Sequence, residues 1–304
     1  MSVKLNNYLC GIIHKKGIKS QFCFSKGELF LNGNKDPLGE KKHSKAKGLI
    51  HRYTDRVVLT VTNKCFAYCR FCFRKNNWQS FEGFSLEESV NYLKKTKNVR
   101  EVLISGGDPF FLSNKKLAEI LTAIRSIKHI STIRIGSRVL SSLPIRIDNQ
   151  TAEMLKLFKP IWIAAHINHP DEITDEFKKS ARLLLDSGIP IVSQTVLLKN
   201  INDNETTLKK LFCSLVDIGI KPYYLFGCDQ AVGNGIFRVS IDKALSLMEK
   251  LRGKISGLCM PTFSFDLPSG YGKVTLEPNR IIKRNGNIFT FKNFEGKEIN
   301  YTDV

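Results

Sequence analysis

The sequence predicts an α/β fold, an open and partial (β/α)6 barrel with an extension at each end. Three observations predict it. Six short apolar runs of strand character alternate with six helical patterns, which asks for parallel strands joined by right-handed crossovers. Six such units rather than eight leave the barrel open. Three cysteines, Cys65, Cys69 and Cys72, stand just behind the first run, Val57-Val58-Leu59-Thr60-Val61. A loop at the C-terminal end of a barrel strand is where such a fold places its chemistry.

Residues 1–50 read as an N-terminal extension interrupted by Gly and Lys, in which Glu28-Leu29-Phe30-Leu31 is expected as a short strand. Asp36-Pro37-Leu38-Gly39-Glu40 is a turn signal. The barrel is expected over 51–255. Its first strand lies near 57–62. Ser85, with Glu87 and Glu88 behind it, starts a helix that runs to about Lys97. Strands near 101–105, 132–136, 161–166, 189–197 and 221–226 then alternate with helices near 113–126, 149–158, 174–187, 204–218 and 241–251. Residues 256–304 form a C-terminal segment.

The chain has 304 residues, 42% of them hydrophobic, enough for one barrel-sized core. No apolar run reaches the ~18 residues of a membrane helix, and the first residues lack the apolar stretch of a signal peptide. A cytoplasmic protein with no membrane partner is therefore expected. The eight cysteines are scattered, which suits a reducing compartment. Cys10, Cys23, Cys213, Cys228 and Cys259 read as small buried hydrophobes. The net charge of +19 is spread along the chain and reads as solvated lysine-rich faces, not as a nucleic-acid footprint.

Three thiolates at Cys-x3-Cys-x2-Cys can hold three irons of a [4Fe–4S] cluster and leave the fourth iron open. The amino and carboxylate groups of S-adenosylmethionine suit that position, and an electron from the cluster could then release a 5′-deoxyadenosyl radical. Structural zinc would ask for four ligands, usually as two Cys/His pairs, and no further Cys-x2-Cys or Cys-x2-His pair is present. Ser105-Gly106-Gly107-Asp108 follows the second strand, where glycines admit close approach of a ligand, or simply make a tight turn. Ser137 after the third strand, His166 after the fourth and Gln194 in the fifth are candidates for hydrogen bonds around the same ligand. Asp229 ends the sixth strand. Asp266 stands seven residues before Lys273, which follows a glycine-containing loop and could carry pyridoxal phosphate or be surface decoration.

Several motifs occur in order: HRYTDR (51–56), the cysteine core with Arg74, SGGDP (105–109), IRIGSR (133–138), HINHP (166–170), QTVLL with NDN, PYYL with Cys228-Asp229, DLPSGYGK (266–273) and EPN. From about Asp36 to the end the chain resembles the lysine 2,3-aminomutase family of radical S-adenosylmethionine enzymes. The resemblance implies a TIM-like partial radical SAM barrel, the cluster, S-adenosylmethionine and pyridoxal phosphate. By the same resemblance Lys273 holds pyridoxal phosphate, with Arg52 and Arg56 near it. Arg74 clamps the substrate carboxylate, and Asp229 with Asp266 grips the distal ammonium of lysine. The segment before Lys273 has fewer glycines than the family pattern, and Ile236 stands where relatives often have histidine. The chain stops soon after the last motif, without the longer C-terminal extension of other members. The compact form is also similar to the branch that makes β-lysine for elongation factor P. Free lysine, an elongation factor P role and arginine stay open as substrates, with flavodoxin or ferredoxin as electron donor. A radical enzyme acting on RNA is the reading from another class, favoured only by the charge.

Overall fold

A computed structural model describes residues 5–30, 32–77 and 83–304. Ten strands form one sheet in chain order: β1 (Ser44–Ala46), β2 (Leu49–Tyr53), β3 (Arg56–Thr60), β4 (Glu101–Ser105), β5 (Thr132–Ser137), β6 (Ile161–His166), β7 (Ile191–Leu197), β8 (Lys221–Gly227), β9 (Thr262–Leu267) and β10 (Gly272–Thr275). From β3 to β9 every neighbouring pair is parallel, and the hairpins at the two edges are antiparallel. The crossovers carry α3 (Leu86–Lys95), α4 (Asn114–Arg125), the short α5 (Val139–Ser142) with α6 (Asn149–Lys156), α7 (Asp175–Asp186), α8 (Glu205–Asp217) and α9 (Ile241–Leu251). The expected partial (β/α)6 barrel is present.

Local chemistry sets where these helices begin. Ser85, Ser113, Asp148, Thr174, Asn204 and Ser240 precede α3, α4, α6, α7, α8 and α9, and each side chain accepts a backbone N–H of the first turn. Such a cap is worth about 0.5–2 kcal/mol.

The strands alternate. Val102 and Ile104, Ile133 and Ile135, and Ile161 and Ile163 point outward into the main core under the helices. Their in-between partners face inward and line a cavity: Leu103 and Ser105, Gly136, Ala164 and His166, Gln194 and Val196, and Phe226. Gly136 and Ala164 are paired in register, so two of the smallest residues sit side by side where the cavity needs width.

Three expectations change. Residues 256–304 do not lie wholly outside the barrel, because β9 adds a seventh parallel strand on β8 and β10 turns back along it. Only β11 (Ile281–Asn285), β12 (Ile288–Lys292) and β13 (Glu298–Thr302) form a separate sheet. The strand expected at 28–31 is instead a 3-10 turn over Lys26–Leu29, and Leu31 lies outside the described residues. Ser25 and Glu28 make a capping box, and Glu28 turns inward to Arg70 (Nη2–Oε2 2.6 Å), leaving Leu29 and Phe30 exposed. The N-terminal extension also contains helices the sequence reading missed, α1 (Asn7–Ile12) and α2 (Lys16–Phe22). Leu9, Ile18 and Phe22 pack with Ala67 of the cysteine loop.

The two ends of the sheet approach one another through hydrogen bonds. The Lys273 N–H donates to the Tyr53 hydroxyl at 2.9 Å, Arg52 Nε donates to the Gly270 carbonyl, and Ser269 N–H donates to the Pro37 carbonyl at 2.9 Å. This contact brings β2 against the β9–β10 hairpin, 220 residues away in sequence.

Candidate active site

The three cysteines follow β3 and line one cavity of about 660 Å³, together with Ser105, Gly106, Gly107, Ser137, His166, Gln194, Asp229 and Asp266. Burial pushes all three thiols up, Cys72 to about 11. Buried thiolates need nearby positive charge, and iron bound to sulfur supplies it. Among the described residues no group of three His, Cys, Asp or Glu side chains is placed on a single metal ion. A cubane asks for something different, one thiolate on each of three irons, and the three-thiol donor set on one cavity fits that demand.

The Gly106–Gly107 turn proves to have a packing cause. Gly106 has φ +132°, and a Cβ there would overlap the Thr62 carbonyl; one on Gly107 would overlap the Lys64 carbonyl. The Gly107 and Asp108 N–H groups donate to those two carbonyls, at 2.6 and 2.9 Å. The turn therefore pins the start of the cysteine loop, and these two amides are already used. Gly107→Ala is expected to shift that loop and to lower the iron bound per chain after reconstitution at least severalfold. Iron content equal to wild type would refute this role.

Asp108 is buried away from the cavity wall. It accepts Ser137 Oγ at 2.8 Å, Arg138 N–H at 2.9 Å and Phe110 N–H at 3.1 Å. Burial still raises its pKa to about 6 against those bonds. It braces Ser137, which does reach the cavity. His166 bonds Asn168 (Nε2–Oδ1 3.0 Å), and burial, then Arg138, lowers its pKa to about 3, so it enters the site neutral. His169 caps the turn before α7 through Asp171 N–H, apart from this wall.

Arg74 lies on the cavity, but its fork is already engaged. Nε and Nη2 bind the Glu40 carboxylate (2.9 and 2.6 Å), and Nη1 donates to Ser105 Oγ (3.1 Å) and the Gly106 carbonyl (3.0 Å). One Nη2 hydrogen remains beyond these bonds.

Two carboxylates line the same cavity. Asp266 on β9 faces Lys273 on β10 in register, with Oδ2 and Nζ 4.0 Å apart. Asp229 lies two residues past β8. Burial, then Asp266, raises its pKa to about 7. Burial likewise raises Asp266, with Lys273 opposing. Lys273 Nζ rests over the rings of Phe226 (4.3 Å) and Tyr224 (4.7 Å). Burial lowers its pKa, Asp266 opposes this, and Arg134 and Arg56 add to the lowering. Arg56 stacks on Tyr53 at 3.9 Å, and Arg52 lies against Gly272. A less basic amine beside guanidinium groups fits a phosphate-bearing aldehyde cofactor.

The sequence reading missed Glu40, Tyr53, Arg134, Gln21 and Glu172, and left Arg138 without a role although it closes the IRIGSR motif. Glu40 closed a turn signal, and Tyr53 stood within HRYTDR; Gln21 and Glu172 carried no signal.

A three-thiol loop over a partial barrel cavity is the construction of one enzyme class, and residues 59–211 match the model of the Radical SAM superfamily. The chain belongs to that superfamily. A radical SAM methyltransferase from Sphaerobacter thermophilus shares the fold at TM-score 0.50 and 14% identity, over 71% of this chain and 68% of that one. Native anSMEcpe with bound AdoMet gives 0.50 and 14%, over 64% and 58%. Residues 248–304 match the Lysine-2,3-aminomutase model. The L-lysine 2,3-aminomutase of Acetoanaerobium sticklandii is 42% identical, over 88% of this chain and 66% of that protein. The putative L-lysine 2,3-aminomutase of Aquifex aeolicus is 44% identical, over 88% and 73%. Within the superfamily the chain belongs to the lysine 2,3-aminomutase family. Glutamate 2,3-aminomutase of Clostridioides difficile is also similar, 36% identical over 88% of this chain and 64% of that protein. The chain spans about two thirds of the length of the first of these relatives. Membership implies a [4Fe–4S] cluster and S-adenosylmethionine.

Proposed function

We propose that the protein moves the amino group of L-lysine from C2 to C3 with pyridoxal phosphate as a further cofactor. One observation carries the reading: a single cavity runs from Cys65, Cys69 and Cys72 to the paired carboxylates Asp229 and Asp266, with Lys273 next beyond. Two half-buried carboxylates favour a distal cation and repel a distal carboxylate, which selects lysine over glutamate. Arginine fits the same charge rule and is the competitor to test.

The cluster with S-adenosylmethionine supplies a 5′-deoxyadenosyl radical for hydrogen abstraction, and pyridoxal phosphate supplies a conjugated system that spreads the unpaired electron during nitrogen migration. Lys273 would hold that cofactor, with Arg52 and Arg56 turned to its phosphate. Arg74, held by Glu40, meets the substrate carboxylate with its charge and its remaining Nη2 hydrogen. Asp229 and Asp266 take the far ammonium, and the two ends together fix the β-carbon along the cavity. The electron comes from a donor such as flavodoxin or ferredoxin. All eight cysteines are free, which suits a reducing cytoplasm. Among the described residues no helix is long and apolar enough to cross a membrane.

The test is anaerobic reconstitution with iron, sulfide, S-adenosylmethionine and pyridoxal phosphate, offering lysine, arginine and glutamate. β-Lysine is expected as the main product. Cleavage of S-adenosylmethionine with no isomerised lysine would sink the assignment. Borohydride treatment of the loaded protein should fix the cofactor to the peptide carrying Lys273; a label on another lysine would refute that residue's role.

A further inference from the structure

Arg138 has no part in the chemistry above, yet it is among the most deeply held groups in the protein, 5% exposed. Its Nη1 donates to Cys69 Sγ at 2.7 Å. Its Nη2 donates to Gln21 Oε1 at 2.5 Å and to Glu172 Oε2 at 3.1 Å. The guanidinium lies over Phe22 (4.8 Å) and Phe71 (5.5 Å). Glu172 is 1% exposed, and its Oε1 also accepts Gln21 Nε2 at 2.9 Å and the N–H groups of Asn168 and His169, both at 3.0 Å. Gln21 comes from α2, and its backbone carbonyl accepts the Arg70 N–H at 2.9 Å. Three separate parts of the chain thus deliver a buried ion pair to one sulfur of the cysteine triad.

Stability alone gives little reason for this. Apolar residues of similar volume often hold a core as well as or better than a buried ion pair. A fixed positive charge and an N–H on a cluster sulfur have a different effect. Reduction adds one electron to the cluster, and both features favour the reduced form. The carboxylate of Glu172, one residue further out, opposes that charge.

We propose that Arg138 is a positioning residue that raises the reduction potential of the cluster through Cys69, and that Glu172 limits the rise. The inference rests on the cluster reading and not on the substrate.

The experiment is an anaerobic dithionite titration of the iron- and sulfide-reconstituted protein, followed by electron paramagnetic resonance, without lysine or pyridoxal phosphate. Arg138→Met should bind its cluster and titrate lower. At the wild-type midpoint its oxidised-to-reduced ratio should be about tenfold higher, or ~59 mV for one electron. Arg138→Lys, which keeps the charge, should recover part of the shift. Glu172→Gln should move the other way, because the guanidinium then acts unopposed. A scaffold role predicts no such opposition of sign. An unchanged potential in Arg138→Met, or shifts of one sign in the Met and Gln variants, would overturn the proposal. Failure of all three variants to take up a cluster would make the network part of cluster assembly and overturn it equally. A protein that titrates as expected but leaves lysine unchanged would refute only the proposed aminomutase activity.

Discussion

Asp229→Asn and Asp266→Asn should each lower kcat/KM for L-lysine by about 30- to 1,000-fold, the equivalent of ~2–4 kcal/mol. The loss comes from leaving a distal ammonium poorly compensated in a cavity walled by Phe226, Leu103 and Val196. A shorter amino acid with no distal charge should lose little, so the preference for lysine should collapse. Wild-type preference in both variants would mean that these carboxylates do not read the side chain.

The same residue predicts a pH dependence. In the empty site Asp229 titrates at about 7, because burial and then Asp266 penalise its charge. Below that value it carries a proton that must leave when the ammonium arrives. Lysine affinity should therefore weaken as pH falls through 7, by up to ~tenfold per unit while Asp229 titrates. Asp229→Asn should flatten that slope. Stability of the ligand-free protein runs with the opposite sign. The folded pKa lies above the ordinary 3.8, so the unfolded chain releases its proton first as pH rises. This group then subtracts stability progressively between about pH 4 and 7. Asp229→Asn should consequently raise the Tm of the empty protein at pH 8 while abolishing tight lysine binding. A Tm that falls would count against a strained carboxylate there.

Removing the three cluster cysteines together has the largest effect on chemistry. The Cys65, Cys69 and Cys72→Ala variant should lose the cluster signal and all reductive cleavage of S-adenosylmethionine, with no 5′-deoxyadenosine formed. Its fold should survive. The cysteines sit on a loop after β3, and burial already disfavours their charged forms without metal. Ala at 65 keeps the packing with Leu9, Ile18 and Phe22, and Ala at 69 removes one acceptor of Arg138, a loss of about 1–3 kcal/mol that leaves its ion pair with Glu172 in place. Detectable 5′-deoxyadenosine from the triple variant would show that another set of ligands holds the cluster.

Local chemistry was legible in the sequence. The cysteine spacing, the alternation of strands and helices, and the order of motifs led to the barrel, the cluster loop and the paired aspartates. The helix starts could be read for the same reason, since a cap is a contact within four residues. What could not be read was any contact made across the barrel. The β9 strand was missed because Thr262–Leu267 is short and lies beyond the last helical pattern; only pairing with β8 makes it a strand. Glu28 went unread as the partner of Arg70, and Glu40 as the partner of Arg74, because neither residue's neighbours in sequence announce an ion pair. The glycine pair after β4 read as a ligand cradle or as a tight turn, and the fold adds that it lines the cavity while clearing a path for the backbone at 62–64. The sequence by itself determined the cysteine spacing, the order of the motifs and the resemblance they carry, because spacing and residue type are local properties. Only the tertiary structure decided what stands beside them. Closing the sheet's edges brings Tyr53 to Lys273, and burial of Gln21, Arg138 and Glu172 on Cys69 joins groups up to 151 residues apart. Such contacts depend on how a twisted sheet curls and on low-dielectric burial, and neither is written in any one stretch of chain.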